Sequence, residues 1–118
     1  MGRPVIRFEI AGRDGEGLEN FYSKLFDWKI ERFEAGGFPY GFVTTSDEGG
    51  IDGGIRHEPD GAAEVVLYVE VPDLVAALAR AKELGAQVRV PPITTPEITF
   101  ALISDPEGNP VGMIETKS

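Results

Sequence analysis

Apolar and polar residues alternate along Val5-Ile6-Arg7-Phe8-Glu9-Ile10, with Ile6, Phe8 and Ile10 on one side of the pattern and Arg7 and Glu9 on the other. A period of two belongs to a strand with one apolar face. Asp14 then stands where a helix N-cap is needed, Glu16 suits the positive end of the helix dipole, and Leu18, Phe21, Tyr22 and Leu25 form a stripe at helical spacing. Three further strands are predicted: Trp28 to Phe33, then Tyr40 to Thr45 after the break at Gly36-Gly37 and Pro39, then Gly50 to His57.

Past the turn-forming Glu58-Pro59-Asp60-Gly61, the pattern starts again. Val65 to Val69 is rich in β-branched residues, Asp73 caps a helix over Leu74 to Leu84, and Gly85 supplies its stop. Strands follow over Ala86 to Val90, ended by Pro91-Pro92, then over Ile98 to Ile103, and over Pro110 to Glu115 after a turn at Asp105-Pro106-Glu107-Gly108-Asn109. An offset of roughly 58–59 residues lays one half on the other. Asp14 falls on Asp73, Ile10 on Val69, Ile30 on Val88 and Phe42 on Phe100; with Pro106 as one insertion, Gly49, Gly53 and Ile55 fall on Gly108, Gly112 and Ile114. The chain therefore reads as one domain of two β-α-β-β-β modules, about 4–57 and 63–116, joined by a linker at about 58–62.

Composition narrows the function classes. A formal net charge of −9 argues against nucleic acid and against anionic membranes, since both select basic surfaces. No apolar run reaches the ~20 residues a transmembrane helix needs, and the first residues lack an apolar secretory core, so a cytoplasmic location is expected. The absence of cysteine removes disulfides and thiol chemistry. No phosphate-loop motif occurs, and Gly12, Gly15 and Gly17 run in the reverse order of a dinucleotide fingerprint.

The Phe21-Tyr22-Ser23-Lys24-Leu25-Phe26-Asp27-Trp28 stretch, Val71-Pro72-Asp73-Leu74 with Leu84-Gly85-Ala86, and Asp105-Pro106-Glu107-Gly108-Asn109-Pro110 resemble the vicinal-oxygen-chelate superfamily. That superfamily includes glyoxalase I, bleomycin-resistance proteins and extradiol dioxygenases. The resemblance implies an α+β fold in which the modules form a curved mixed sheet around a cleft, with helices on the convex side. Ile6, Phe8 and Ile10 would then lie beneath the first helix, and Val65, Leu67 and Val69 beneath the second. Arg7, Glu9, Val66 and Tyr68 would face the cleft. The resemblance also implies metal-ligand positions at Arg7, Gly53, Val66 and Gly112, whose side chains cannot ligate, so no metal and no cofactor is expected.

The candidate ligand-binding residues are Arg7, Glu9, Phe42, His57, Tyr68 and Phe100. Glu9 is either a general base or half of an ion pair with Arg7, and His57 is either a solvated strand end or a hydrogen-bond partner in the cleft. Phe21, Tyr22 and Trp28 read as core, and Tyr40 joins the aromatic candidates. Metal-independent binding of a small organic molecule, cationic or aromatic, is the leading function, with drug sequestration of the bleomycin-resistance kind as one version. The alternatives are a cofactor-independent isomerase or lyase using Glu9, a metal-dependent enzyme whose ligands lie in another register, and an interaction module. Open sheet edges predict a homodimer. Light scattering at micromolar concentration is expected to give twice the mass of one chain; a monomeric mass would rule the dimer out.

Overall fold

A computed structural model describes residues 2–35 and 38–116. Among the described residues the fold is mixed α+β, with eight strands and two α-helices in a repeated β-α-β-β-β order. The chain divides into two compact units, Arg7–Val65 and Val66–Ser118 together with Met1–Ile6. The first unit thus continues past the turn at Glu58–Gly61. Two contacts hold that turn to it, Glu58 N donating to Gly12 O (2.8 Å) and Arg13 Nε to Gly61 O (3.2 Å), and Arg56 Nη2 donates to Glu64 Oε2 just beyond it (2.9 Å). The chain start belongs with the second unit, where Glu70 N donates to Pro4 O at 3.0 Å.

The first module comprises β1 (Val5–Gly12), α1 (Gly15–Phe26), β2 (Lys29–Ala35), β3 (Phe38–Thr44) and β4 (Asp52–His57), with strand order β2-β3-β4-β1. The break expected at Gly36-Gly37 lies outside the described residues. β1 and β4 run parallel, and the other pairs are antiparallel. Asp14 caps α1 by accepting from Gly17 N at 2.9 Å, and the helix stops at Asp27 in the left-handed region (φ 56°). The helix meets the sheet through aromatic rings: Phe8 lies 5.4 Å from Trp28, and Tyr22 stacks on Trp28 at 5.1 Å. Phe21 is not the core residue expected: it packs edge-on against Tyr22 at 5.0 Å, at the rim of this seam, and is 55% exposed.

The second module comprises β5 (Glu64–Glu70), α2 (Leu74–Glu83), β6 (Gln87–Thr94), β7 (Ile98–Ser104) and β8 (Pro110–Thr116), with the matching order β6-β7-β8-β5. One buried cluster (Val71, Leu74, Leu78, Ala101, Met113) includes the inner residues of α2, and a second (Val66, Tyr68, Leu102, Ile114) includes the alternate strand positions. The Val, Leu, Ile and Met side chains among them contribute about 1.5–3 kcal/mol each when fully buried.

Three expectations are corrected here. Val65 and Leu67 are 60% and 50% exposed, because the short α2 packs on β6, β7 and β8 and leaves their face of β5 uncovered. Ile6 packs against the Val66–Tyr68 cluster instead of beneath α1. Pro91 and Pro92 do not end β6. It continues to Thr94 through two register shifts, at the edge of its module's sheet, where a missing N–H is tolerated.

Asp73 caps α2 by accepting from Ala76 N at 3.0 Å. Asp73→Ala is expected to cost about 1 kcal/mol in chemical denaturation, with Asp73→Asn recovering most of it. An unchanged midpoint in the alanine variant would show that the cap contributes nothing.

Candidate functional site

Strand alternation and register build the site. Phe8 meets α1's aromatic seam, so Arg7 and Glu9 on β1 point to the opposite face of the sheet. The register pairs Glu9 with Gly54, Gly54 with Phe42, and Arg56 with Tyr40, which puts all of them on that same face.

Glu9 is the group around which the others close. It is buried (7% exposed), and a buried carboxylate needs charge and hydrogen-bond partners. Arg56 Nη1 lies 3.0 Å from Glu9 Oε1, and the Tyr40 hydroxyl donates to Glu9 Oε2 at 2.9 Å. Arg56 also reaches Glu64 at 2.9 Å, and its Nε lies 3.2 Å from Glu58 Oε2, near enough for charge attraction but out of line for a hydrogen bond. Burial works to lower the Arg56 pKa, but Glu9, Glu64 and Glu58 together outweigh it and hold the guanidinium above its ordinary value. Removing one partner from a buried pair of this kind costs on the order of 3–5 kcal/mol, because the other charge is left uncompensated.

Tyr40 reaches Glu9 across β4 because position 54 is glycine: a Cβ there would collide with the Tyr40 hydroxyl. Burial first, and the Glu9 carboxylate second, push the Tyr40 pKa far above the ordinary phenol value, against a smaller opposing pull from Arg7. Arg7 Nη2 lies 3.5 Å from the Tyr40 hydroxyl, at the limit of a hydrogen bond, and its guanidinium carbon sits 5.8 Å from the centre of the Phe42 ring. Phe42 packs edge-on against Tyr40 (5.0 Å) and Phe33 (5.2 Å) and is 42% exposed.

Of the sequence candidates, Arg7, Glu9 and Phe42 come together, and Tyr40 joins them. Arg56 and Glu64 were missed. Alternation on β4 marks the face of Arg56, but only the parallel register with β1 brings it to Glu9. The expected Arg7–Glu9 pairing gives way to Arg56–Glu9. His57 takes the other face of β4, against Gly15 at the start of α1. Tyr68 and Phe100 belong to the second unit, where the Tyr68 ring lies over Gly112 in the buried cluster and Phe100 packs at its margin.

A divalent metal does not fit the donors present. Glu9 faces Arg56, Arg7 stands at an implied ligand position, and Gly53 turns toward Phe8 on the helix side. Among the described residues no three His, Asp or Glu side chains converge as a catalytic metal requires. Two surface depressions lie elsewhere in the first unit. One of about 650 Å³ borders Ile10, Leu18, Tyr22 and Val65, and one of about 290 Å³ borders Phe26, Trp28 and Asp47.

The model of the family described as glyoxalase-like domain matches residues 8–114. No curated protein matches. Similar solved structures include a hypothetical protein from Bacillus halodurans C-125, at TM-score 0.73 and 13% identity, covering 100% of this chain and 97% of that one. Methylmalonyl-CoA epimerase from Mycobacterium tuberculosis is similar at TM-score 0.67 and 13% identity, covering 97% and 88%. A variant of the Streptomyces coelicolor methylmalonyl-CoA epimerase in complex with 2-nitronate-propionyl-CoA matches at TM-score 0.67 and 16% identity, covering 100% and 99%. Such identities speak to the fold alone.

A raised tyrosine pKa means that the folded state holds the proton more tightly than the unfolded one. Stability from this source is complete below the ordinary value of 10.0 and falls as pH rises above it. In an alkaline titration followed by tyrosinate absorbance, one component is expected to resist ionisation until the protein unfolds, and to vanish in Tyr40→Phe. A variant titrating like the wild type would show that Tyr40 is not the protected group.

Proposed function

This chain belongs to the glyoxalase-like domain family, and from that premise we propose that it binds a small organic molecule without a metal, on the sheet face carrying Arg7, Glu9, Tyr40 and Phe42. The observation that carries this reading is the engagement of Glu9. One oxygen is held by Arg56 and the other by Tyr40, so the buried carboxylate on this face is committed within the protein. A guanidinium beside it opposes any cation, while Phe42 and Phe33 leave aromatic surface exposed to an organic ligand. The Streptomyces epimerase complex supports the reading in general terms, as a similar fold that takes a small organic ligand.

The same engagement weighs against Glu9 as a general base, since such a base needs a lone pair aimed at the substrate. His57, Tyr68 and Phe100 are left out of the reading: His57 faces α1, and the other two pack in or beside the second unit's core. The homodimer, the cytoplasmic location and drug sequestration belong to this reading on the strength of the sequence.

Protein stripped with chelator and shown by elemental analysis to be metal-free can be screened by thermal shift against planar aromatics and small metabolites. At least one ligand is expected to raise Tm, with the shift lost in Phe42→Ala. A shift that appears only when stoichiometric divalent metal is restored, or that survives Phe42→Ala unchanged, would overturn the reading.

A further inference from the structure

With a formal charge of −9, the chain as a whole favours cationic ligands. The pairing on this face says otherwise. The charge of Arg56 is met by Glu9, Glu58 and Glu64, all within 3.2 Å of its guanidinium. Among the described residues no carboxylate comes within 4.0 Å of the Arg7 guanidinium. Asp52, the register partner of Arg7, accepts its hydrogen bonds from the Thr45 and Ser46 backbone N–H groups (3.0 and 2.9 Å) and from the Ser46 hydroxyl (3.1 Å), and its attraction to Arg7 is the weakest of the influences on its carboxyl. Arg7 carries five N–H donors in a fixed fork, and its hydrogen bonding among the described residues is one marginal contact to Tyr40.

The Tyr40 hydroxyl cannot supply the missing anion. It is held protonated and donates to Glu9. The guanidinium is therefore set beside an aromatic face with its donors largely unspent, which is the arrangement that receives an oxyanion in bidentate fashion. Phe42 and Phe33, meeting edge to face at 5.2 Å and 42% and 48% exposed, offer a flat ligand apolar surface next to that fork.

We propose that the ligand of this face is a planar organic anion, an aromatic or conjugated carboxylate, whose oxygens dock on the Arg7 guanidinium while its ring packs against Phe42. This rests on the metal-free binding reading and adds to it the charge of the ligand. Arg7 is the residue that sets specificity, and the acidic remainder of the surface opposes the approach of the same ligand. Raised salt therefore weakens the contact to Arg7 and relieves the long-range repulsion at once.

The test is calorimetric titration of metal-free protein with 2-naphthoate, 2-naphthylmethanol and 2-naphthylmethylamine, which share a ring and differ in charge. Naphthoate is expected to bind about tenfold or more tightly than the alcohol, with the amine weakest. Arg7→Ala should remove that preference by weakening naphthoate about tenfold more than the alcohol, and Arg7→Lys should restore only part of it, because a point charge lacks the fork. Circular dichroism and thermal melts of both variants establish that they fold. The inference is overturned if the amine binds as well as naphthoate, if the preference survives Arg7→Ala, or if none of the three probes binds. The binding reading would still stand in each of those cases if the metal-free screen yields a ligand lost in Phe42→Ala, so the two can fail separately.

Discussion

Two adjacent glycines in β4 allow the first module to be organised on both faces at once. Gly53 and Gly54 point to opposite sides of the strand, and neither position has room for a Cβ. The Phe8 ring crosses the first on the helix side, and the Tyr40 side chain crosses the second on the other. Side chains at these positions would push Phe8 away from Trp28, or Tyr40 away from Glu9. A strand interior normally loses stability to glycine, which brings no packing and costs backbone entropy. Here the loss is offset by large aromatic side chains lying directly on the backbone.

The polar face follows from that crossing. Once Tyr40 reaches β1, one oxygen of the buried Glu9 is satisfied, and Arg56 satisfies the other. Desolvating a carboxylate is tolerable only with this double provision. Arg56 in turn gathers Glu58 and Glu64 from the segment that follows β4, so the pair that neutralises Glu9 also fastens the inter-module turn to the first unit. With Glu9, Glu58 and Glu64 drawn to Arg56, Arg7 is left beside aromatic rings, with only a longer-range attraction to Asp52. The local preference for an anion is thus a consequence of how charges are shared, and the total charge gives no hint of it.

The duplicated loops show how far internal repetition extends. In the second module Asp105 closes the turn before the last strand by accepting from the N–H groups of Glu107 and Asn109 and from the Asn109 amide, which holds its carboxyl below the usual range. In the first module Asp47, its counterpart by sequence, pairs with Lys29 at 4.0 Å, and Asp52 from the start of β4 performs the closure. The backbone of Ser46, its hydroxyl and the N–H of Thr45 hold the Asp52 carboxyl low in the same manner. The same turn requirement is met from opposite ends of the loop.

What the sequence determined by itself was the local order: the period-two strands, the Asp14 and Asp73 caps, the Gly85 stop at φ 103°, the doubling of the module, and the face shared by Arg7 and Glu9. These depend on residues within a few positions of one another, where periodicity and capping chemistry act. Tertiary structure decided that Arg56 and not Arg7 neutralises Glu9, that Tyr40 passes over Gly54, that Gly53 turns toward Phe8, and that Val65 and Leu67 stay uncovered. Each of those outcomes turns on register between strands distant in sequence, or on how far a ten-residue helix reaches across a sheet. A one-residue shift in pairing reverses every side chain, and nothing within a single strand encodes it.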